Sequence, residues 1–316
     1  MTRVLTVTVN PAIDLATTVD KVIAGPKLRC GPALTDPGGG GVNVARTIAK
    51  LGGQATALFT VGGTTGELLT SLVKAEGVDV VPVPVKGETR QNFAVTDASS
   101  AEQYRFSLLS HPVDAEDEAK LMAAIVSATP QGSIVVLSGG LAPAMSHNFH
   151  TLVQTALEGR GARVIVDTCD PGLAHLLAHP PKKPFHVLRI DQHESEIAAG
   201  RPLSTVADSL EFTSDLITRG VADCLIIGRG AEGSVLAARS GNFFCHAAKV
   251  TVRSKIGAGD SFVGAFTLGL SRGDPPEIAL QKGVAAASAT VQTEGTALCT
   301  RAAVDALIPL CKLDVL

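Results

Sequence analysis

Aromatic residues are scarce in this sequence: 316 residues include ten Phe, a single Tyr (Tyr104) and no Trp. Single-stranded nucleic acids bind on platforms of aromatic side chains, so this scarcity argues against that class of partner. An excess of basic charge is also missing, because 27 Lys and Arg stand against 30 Asp and Glu. Without a basic field we expect neither nucleic acid nor an anionic membrane as a partner.

Two further absences concern paired cysteines and long apolar runs. The six cysteines are widely spaced and form no C-x-x-C pair, so neither a zinc site nor a redox pair is predicted. No apolar run reaches the roughly 18 residues of a membrane span, and no signal peptide is predicted. We expect a cytoplasmic protein with reduced thiols.

Glycine, by contrast, is abundant at 32 residues, and the chain is apolar overall, with a mean hydropathy of +0.28. The glycines follow no G-X-Y period, which excludes collagen, and an apolar content of 45% excludes disorder. They must therefore serve particular backbone positions.

Short β-branched runs alternate with segments of helical length. Strands are predicted at Val4–Val9, Ser133–Leu137, Arg163–Val166, Phe185–Ile190 and Cys224–Ile227. Helices are predicted at Val42–Leu51, Glu67–Ala75, Ala115–Ala128, Phe149–Glu158 and Leu203–Arg219. This alternation predicts an α/β fold with a mainly parallel sheet that helices cover on both faces.

Two stretches, residues 15–35 and 89–109, interrupt the alternation. The second predicts two strands joined by the polar turn 97–102, and the first contains short alternating pieces where a helix should follow. An ordinary edge hairpin would explain the second stretch. We favour a small β lid on the main sheet, because both stretches carry basic residues, and we expect a single domain over residues 1–316.

Two glycine clusters precede helical segments. Gly38–Gly41 would let a phosphate or sugar hydroxyls approach the backbone, although a flexible loop explains it equally well. Gly257-Ala258-Gly259 would direct free N–H groups at one point and hold the charge that develops in phosphoryl transfer. Asp260 beside it could accept a proton from an attacking hydroxyl, whereas taken alone it would be a helix cap.

Together, Gly38–Arg46 and Lys255–Ser261 resemble the two signatures of the ribokinase (PfkB) family of sugar kinases, over essentially the whole chain. The supporting segments are Gly25–Cys30, Thr89–Asn92 and Glu102–Phe106. The resemblance implies a three-layer α/β/α sandwich with a β lid that closes over the sugar and joins a homodimer. It also implies ATP as co-substrate and Mg²⁺ as cofactor, with a monovalent cation as a further candidate.

The resemblance also implies roles for individual residues. Asp260 matches the base that activates the acceptor hydroxyl, and Gly257, Ala258 and Gly259 match the anion hole for the transferred phosphoryl. The positions that hold sugar hydroxyls are Asp14, Gly39, Gly40 and Asn43. The positions that grip a phosphate already on the substrate are Lys27, Arg29 and Arg90, with Arg105 nearby.

Physical chemistry supports a phosphorylated substrate. A kinase for an uncharged sugar gains nothing from several cationic groups, whereas a phosphosugar offers a dianion that Arg contacts in a fork. Each basic residue taken alone would be a solvated surface charge.

Around the expected nucleotide, the sequence departs from the family pattern. Where the family commonly has Lys-Pro-Asn-x-x-Glu, the chain has Arg189-Ile190-Asp191-Gln192-His193-Glu194. Glu194 and Asp191 would organise Mg²⁺ through water. The added charge of Asp191 would either tighten the metal or repel nucleotide when metal is absent.

Three other departures concern glycines and a lysine. Gly228 stands where related kinases have Ser or Thr, beside Arg229 and Gly230, and Arg229 is either a phosphate contact or a surface residue. Lys255 replaces a Thr and would approach the β- or γ-phosphate, or alter packing near adenine or a cation loop. Gly140 replaces a Ser that helps to bind the sugar phosphate.

We therefore expect an ATP- and Mg²⁺-dependent kinase that phosphorylates the C1 hydroxyl of fructose 6-phosphate, with Asp260 as general base. Tagatose 6-phosphate kinase and 1-phosphofructokinase are alternatives of the same class. The departures at Asp191, Gly228, Lys255 and Gly140 suggest an alternative of another class, a weakly active sugar-phosphate sensor.

Overall fold

A computed structural model describes residues 1–316 of the chain. Its strands are β1 (Val4–Thr8), β2 (Ala12–Val19), β3 (Leu34–Gly38), β4 (Thr56–Val61), β5 (Asp79–Pro84), β6 (Arg90–Asp97), β7 (Gln103–Ser107), β8 (Ile134–Ser138), β9 (Arg163–Asp167), β10 (Val187–Asp191), β11 (Cys224–Gly228), β12 (Gly233–Ala238), β13 (Gly241–His246) and β14 (Leu313–Val315). Its α-helices are α1 (Gly40–Lys50), α2 (Gly63–Ala75), α3 (Ala115–Ala128), α4 (Phe149–Leu157), α5 (Gly172–Ala178), α6 (Gln192–Ala199), α7 (Val206–Thr218), α8 (Ala258–Arg272), α9 (Pro276–Thr290) and α10 (Arg301–Leu307).

The central sheet has ten strands in the order β14-β13-β12-β11-β10-β9-β8-β1-β4-β5. From β11 to β5 all neighbours are parallel, whereas β12, β13 and β14 add antiparallel strands at one edge. Successive residues of a strand face opposite layers, because side chains alternate across a sheet. In β8, Ile134 and Val136 enter one hydrophobic core, and Val135 and Leu137 enter the other.

The two cores contain 38 and 31 buried residues, so the sheet is well covered on both faces. Helices α1, α8 and α9 supply one core, and α3, α4 and α5 contribute to the other. This confirms the predicted three-layer α/β/α sandwich. None of the helices combines the length and the apolarity needed to cross a bilayer.

A second sheet of four strands, in the order β3-β2-β6-β7, forms the lid. The predicted hairpin is present as β6 and β7, and its turn is held by Asp97, whose Oδ1 accepts hydrogen bonds from the N–H and hydroxyl of Ser99. β2 pairs with β6 in parallel and with β3 antiparallel. The prediction was wrong for the piece around Lys27 and Arg29, because residues 20–33 form no strand; Gly25 and Pro26 interrupt the pattern there.

Most predicted elements are present with shifted ends. The helix predicted from Leu203 begins at Val206, because the Thr205 side chain accepts a hydrogen bond from the Asp208 N–H and caps it. The strand predicted from Phe185 begins at Val187. Several elements lie outside the predicted ones, namely β4, β5, the β12–β13 hairpin, β14, α9 and α10.

Candidate active site

The two glycine clusters start the helices α1 and α8. Gly39 precedes α1 with φ +112°, and Gly257 precedes α8 with φ +72°, backbone conformations that favour glycine. The N–H groups of Gly259 and Asp260, in the first turn of α8, make no backbone hydrogen bond. Of the predicted anion hole, Gly259 has such a free donor, whereas the Ala258 N–H donates to the Lys255 carbonyl. Free donors at a helix N-terminus favour a negatively charged ligand.

Asp260 lies in that first turn and is half-buried. Asn43 of α1 donates a hydrogen bond from Nδ2 to its Oδ2 at 2.8 Å. Burial, reinforced by the charge of Asp167, raises the pKa of Asp260 to about 7, against the opposing effects of Asn43 and Arg189. A carboxylate that titrates near neutral pH is well matched to accepting a proton from a hydroxyl.

The inner face of the lid carries a set of hydrogen-bonded polar side chains. Asn92 on β6 donates to Asp14 Oδ1 on β2 at 2.8 Å. Arg90 donates to Asn92 Oδ1 at 3.1 Å and to Ser107 Oγ at 2.9 Å, and its Nε is buried without a partner. Burial raises the pKa of Asp14, although Asn92 and Arg90 oppose this shift. The Nε–H group of Arg90 therefore has no hydrogen-bond partner within the protein.

A cavity of about 360 Å³ lies between this face and the start of α8. Its polar lining includes Asp14, Arg90, Asn92, Arg105 and Thr296, and Ile256 connects it to the Gly257 turn. The register of β7 against β6 puts Arg105 on the same face as Ser107. The cavity therefore brings two predicted phosphate-binding residues, Arg90 and Arg105, towards the anion site.

Other predicted sugar-binding residues lie outside that lining. Asn43 is only 7% exposed and bonds to Asp260. The start of α1 packs closely on β8, since a Cβ at Gly40 would lie 2.4 Å from Ser138 Oγ. Lys27 and Arg29 are exposed and form neither a hydrogen bond nor an ion pair. A Cβ at Gly140 would lie 2.9 Å from Cys169 Sγ, so the nearby cysteine occupies space that a Ser at position 140 would need.

Arg189 lies in the middle of β10, beside the first turn of α8. Its Nη1 forms an ion pair with Asp167 Oδ1 at 3.0 Å. A Cβ at Gly228 would lie 3.1 Å from its Nη2, and a Cβ at Gly259 would lie 3.1 Å from its Nη1. The guanidinium therefore packs against the strand end and the first turn of α8 together.

Asp191 and Glu194 form a reciprocal cap at the start of α6. Asp191 Oδ1 accepts from the Glu194 N–H at 2.8 Å, and Glu194 Oε2 accepts from the Asp191 N–H at 3.0 Å. Burial, with the charges of Asp191 and Asp167, raises the pKa of Glu194. No group of three His, Cys, Asp or Glu side chains is arranged to hold a metal ion by itself.

Arg229 is not a phosphate contact, and this prediction was wrong. Its guanidinium is fully buried and donates to the carbonyls of Leu203, Ser204 and Thr205, to Ser209 Oγ and to Glu232. All five N–H groups are thereby used, and the residue fixes the segment before α7.

Two other predicted nucleotide-binding residues are Gly230 and Lys255. Gly230, the neighbour of Arg229, has φ +58°, and Lys255 is exposed and unpaired before the Gly257 turn.

Sequence reasoning missed three residues of this region. Asn10 follows β1, its carbonyl accepts a hydrogen bond from Arg90, and its Oδ1 is buried without a partner. Asn92 orients Asp14, and Asp167 ends β9 and holds Arg189. Asn10 and Asp167 lie at carboxyl ends of parallel strands, where α/β proteins bind ligands, so their position was the available signal.

Comparison with known proteins places this arrangement in a family. The pfkB family of carbohydrate kinases matches residues 5–303. The ATP-dependent 6-phosphofructokinase isozyme 2 of Mycobacterium tuberculosis is 36% identical over 299 residues, which cover 95% of this chain and 87% of that protein. The isozyme 2 of Escherichia coli is 36% identical over 300 residues, covering 95% and 96%. The 1-phosphofructokinase of Bacillus subtilis is 28% identical over 291 residues, covering 92% and 93%.

A solved structure agrees over nearly the whole chain. The crystal structure of phosphofructokinase-2 from Escherichia coli in complex with potassium superposes with a TM-score of 0.92 at 34% identity, covering 98% of this chain and 99% of that chain. The family match spans both glycine turns, Asp260 and the lid. The chain belongs to the pfkB family of carbohydrate kinases.

Proposed function

We propose that this kinase transfers the γ-phosphoryl group of ATP to the C1 hydroxyl of fructose 6-phosphate, and that residues 1–316 act as one catalytic unit. One observation carries the proposal: the half-buried carboxylate of Asp260 lies beside free N–H groups at the start of α8, and a cavity that reaches Ile256 is lined by Arg90 and Arg105. The names of the Mycobacterium and Escherichia relatives support fructose 6-phosphate as the acceptor.

In the proposed reaction, Asp260 takes the proton of O1 as that oxygen bonds to the γ-phosphorus of ATP. The bond from the γ-phosphorus to the oxygen bridging to ADP breaks, and ADP leaves. The free N–H groups of Gly259 and Asp260 donate to the transferred phosphoryl, and the neighbouring Arg189 adds positive charge there. Asp14 binds a sugar hydroxyl, while Arg90 and Arg105 bind the 6-phosphate.

The residues at the start of α6 fit a magnesium ion held through water. Burial, followed by the charges of Asp191 and Asp167, raises the pKa of Glu194, and a divalent cation would neutralise that negative charge. Mg²⁺ keeps much of its hydration shell, so it does not need three direct protein ligands. When bound with ATP, it would neutralise phosphate charge during transfer. The potassium in the Escherichia coli structure makes a monovalent cation a reasonable further ligand.

A homodimer through the lid is part of the proposal. The lid face opposite Asp14 and Asn92 exposes Phe93, Tyr104 and Phe106, which are 36%, 37% and 55% accessible. Adjacent exposed aromatic side chains are typical of protein interfaces. The Escherichia coli relative also has a tetrameric inhibited form. Sedimentation of the purified chain tests this point, and a monomer at every concentration would contradict it.

Six free thiols support action in the reducing cytoplasm.

The decisive experiment measures kcat and KM for fructose 6-phosphate, tagatose 6-phosphate and fructose 1-phosphate with the wild type and Asp260→Asn. We expect the highest kcat/KM with fructose 6-phosphate, and a loss of at least about 10²-fold in kcat for Asp260→Asn with substrate binding retained. Because Asp260 must be ionised, wild-type kcat/KM should fall below about pH 7. Robust turnover by the Asn variant would refute the assignment of the base.

The same experiment separates the alternatives. A preference for fructose 1-phosphate, as the name of the Bacillus relative suggests, or for tagatose 6-phosphate would change the substrate and leave Asp260 as base. Tight binding of a sugar phosphate without consumption of ATP would favour a sensor. The departures at Asp191, Gly228, Lys255 and Gly140 are the observations behind that second function, but none of them removes Asp260 or the free N–H groups.

A further inference from the structure

The amide of Asn43 is hydrogen-bonded on both sides. Its Nδ2 donates to Asp260 Oδ2 at 2.8 Å, and its Oδ1 accepts from Arg46 Nη1 at 2.9 Å. Arg46 lies one turn after Asn43 on α1, and the two residues are 2% and 7% exposed. A continuous buried chain of polar groups therefore connects Arg46 to Asp260.

The chemistry of the two neighbours fixes the orientation of this amide. A guanidinium can only donate hydrogen bonds, and an ionised carboxylate can only accept them. Asn43 must therefore turn its oxygen to Arg46 and its NH₂ group to Asp260. Reversing the amide would place an oxygen against a carboxylate and an NH₂ group against a cation.

Arg46 itself is held by acceptors away from the substrate cavity. Nη1 also donates to the Pro37 carbonyl at 2.8 Å, and Glu76 Oε1 accepts from Nε at 2.8 Å and from Nη2 at 2.6 Å. Asp36 on β3 is 3.6 Å from Nη2. The guanidinium is thus anchored between α1, α2 and the lid, and it is not among the groups that line the cavity.

We propose that Arg46 is a positioning residue for the catalytic base: it holds the Asn43 amide so that its NH₂ group stabilises ionised Asp260 at Oδ2. The other carboxylate oxygen is then left to take the proton of the substrate hydroxyl. This inference rests on the proposed role of Asp260 and gives a role to Arg46, the last residue of the first signature, to which the sequence assigned none.

Loss of Arg46 has a specific consequence for the base. The released amide could turn and present its oxygen, which accepts a hydrogen bond only from the protonated carboxyl group. The pKa of Asp260 would rise further, because a hydrogen bond that favoured the charged form would be replaced by one that favours the neutral form. The fall of kcat/KM on the acidic side of its pH profile, here called the acidic limb, would then occur at higher pH.

The test compares the pH profiles of Arg46→Gln and Glu76→Gln with that of the wild type. We expect kcat/KM of Arg46→Gln to be about tenfold lower than that of the wild type at about pH 6 and to approach the wild type at about pH 9. The reason is that raising the pKa of Asp260 by about one unit lowers its ionised fraction about tenfold at a pH below both pKa values. Glu76→Gln removes the carboxylate that holds Arg46 but keeps the bond from Arg46 to Asn43. It should lower stability and leave the position of the acidic limb unchanged.

Arg46→Lys keeps the positive charge and one ammonium group as hydrogen-bond donor. The acidic limb of its kcat/KM profile should therefore lie between those of the wild type and Arg46→Gln. If Arg46→Gln does not fold because Glu76 is left unpaired, the double variant with Glu76→Gln removes both charges and carries the same prediction. An acidic limb of Arg46→Gln that coincides with that of Glu76→Gln would overturn the inference. Activity of Asp260→Asn would instead overturn the proposed base, whatever Arg46 does.

Discussion

At position 228, the missing side chain makes room for an arginine. The sequence alone shows Gly228 only as the loss of a hydroxyl that related kinases carry. The structure shows Arg189 Nη2 3.1 Å from the place of a Cβ at Gly228, so the guanidinium occupies the space beside the strand end. Gly228 and Arg189 are therefore coupled departures, because a side chain at position 228 would compete with the guanidinium for the same space.

This coupling predicts that restoring the hydroxyl alone is harmful. Gly228→Ser should displace Arg189 from Asp167 and lower kcat/KM about tenfold. In an Arg189→Lys background the same change should cost less than about twofold, because the narrower ammonium group leaves space for the Ser. A double-mutant cycle in steady-state kinetics measures the difference. Equal effects of Gly228→Ser in both backgrounds would show that the two positions are independent.

Residues near the site differ in how well the sequence predicts them. The Gly257 turn and Asp260 could be predicted because their chemistry is local to four consecutive residues. Arg229 was assigned wrongly because its partners, the carbonyls of residues 203–205, are distant in sequence. Asp167 was missed for the same reason, since its role depends on Arg189 of the neighbouring strand β10.

At the scale of helices and strands, the sequence pattern predicts that an element exists better than it predicts the residues at which the element begins and ends. The strand β8 could be recognised because it is apolar on both faces. The helix α8 ends just before Gly273, which takes a left-handed conformation with φ +91°, so a glycine marks this helix end in the sequence. The start of α7 could not, because it depends on the capping bonds of Thr205. The helix α9 has small alanines around much of its surface and gives little amphipathic signal.

The cap of α6 predicts separate effects of one residue on stability and on metal binding. Asn is as good a cap as Asp, so Asp191→Asn should leave the free energy of unfolding nearly unchanged. The loss of its charge should raise the Mg²⁺ concentration for half-maximal activity by about tenfold. Titration of Mg²⁺ at saturating substrates, together with thermal unfolding, measures both quantities.

Two control variants define the outcome for Asp191. Asp191→Ala should lose about 1 kcal/mol of stability as well as Mg²⁺ affinity, because it removes both cap and charge. Thr205→Ala removes the cap of the separate helix α7 and should lower stability without changing the Mg²⁺ requirement. An unchanged Mg²⁺ requirement in Asp191→Asn would mean that Asp191 serves the helix alone.

At the scale of the whole molecule, the fold gathers its charges at one edge of the sheet. The parallel strands β8, β9, β10 and β11 lie side by side in the sheet. Asp167 and Asp191 lie at the ends of β9 and β10, and Arg189 in the middle of β10 reaches the first turn of α8. The resulting burial gives Asp260 its useful pKa, but an ionised carboxylate in that place opposes folding.

Asp260→Asn should therefore stabilise the protein, and the gain should depend on pH. The pKa of Asp260 is about 7 in the folded protein and about 3.9 in the unfolded chain, so the folded state binds more protons between these values. Stability from this group is then lost as pH rises through that window. The Tm of Asp260→Asn should exceed that of the wild type at about pH 8, and the difference should shrink towards about pH 4.

Asp97 provides a control of the opposite sign. Hydrogen bonds from Ser99 and from the Val22 N–H lower the pKa of this lid carboxylate to about 2, so its ionised form favours folding. Asp97→Asn should lower Tm by a similar amount at about pH 6 and about pH 8, because Asp97 is fully ionised at both. Calorimetry measures the Tm of both variants across this pH range. If the Tm of Asp260→Asn did not exceed that of the wild type at the higher pH, the assignment of the raised pKa to Asp260 would be contradicted. A gain confined to the higher pH would tie catalysis and stability to the same carboxylate.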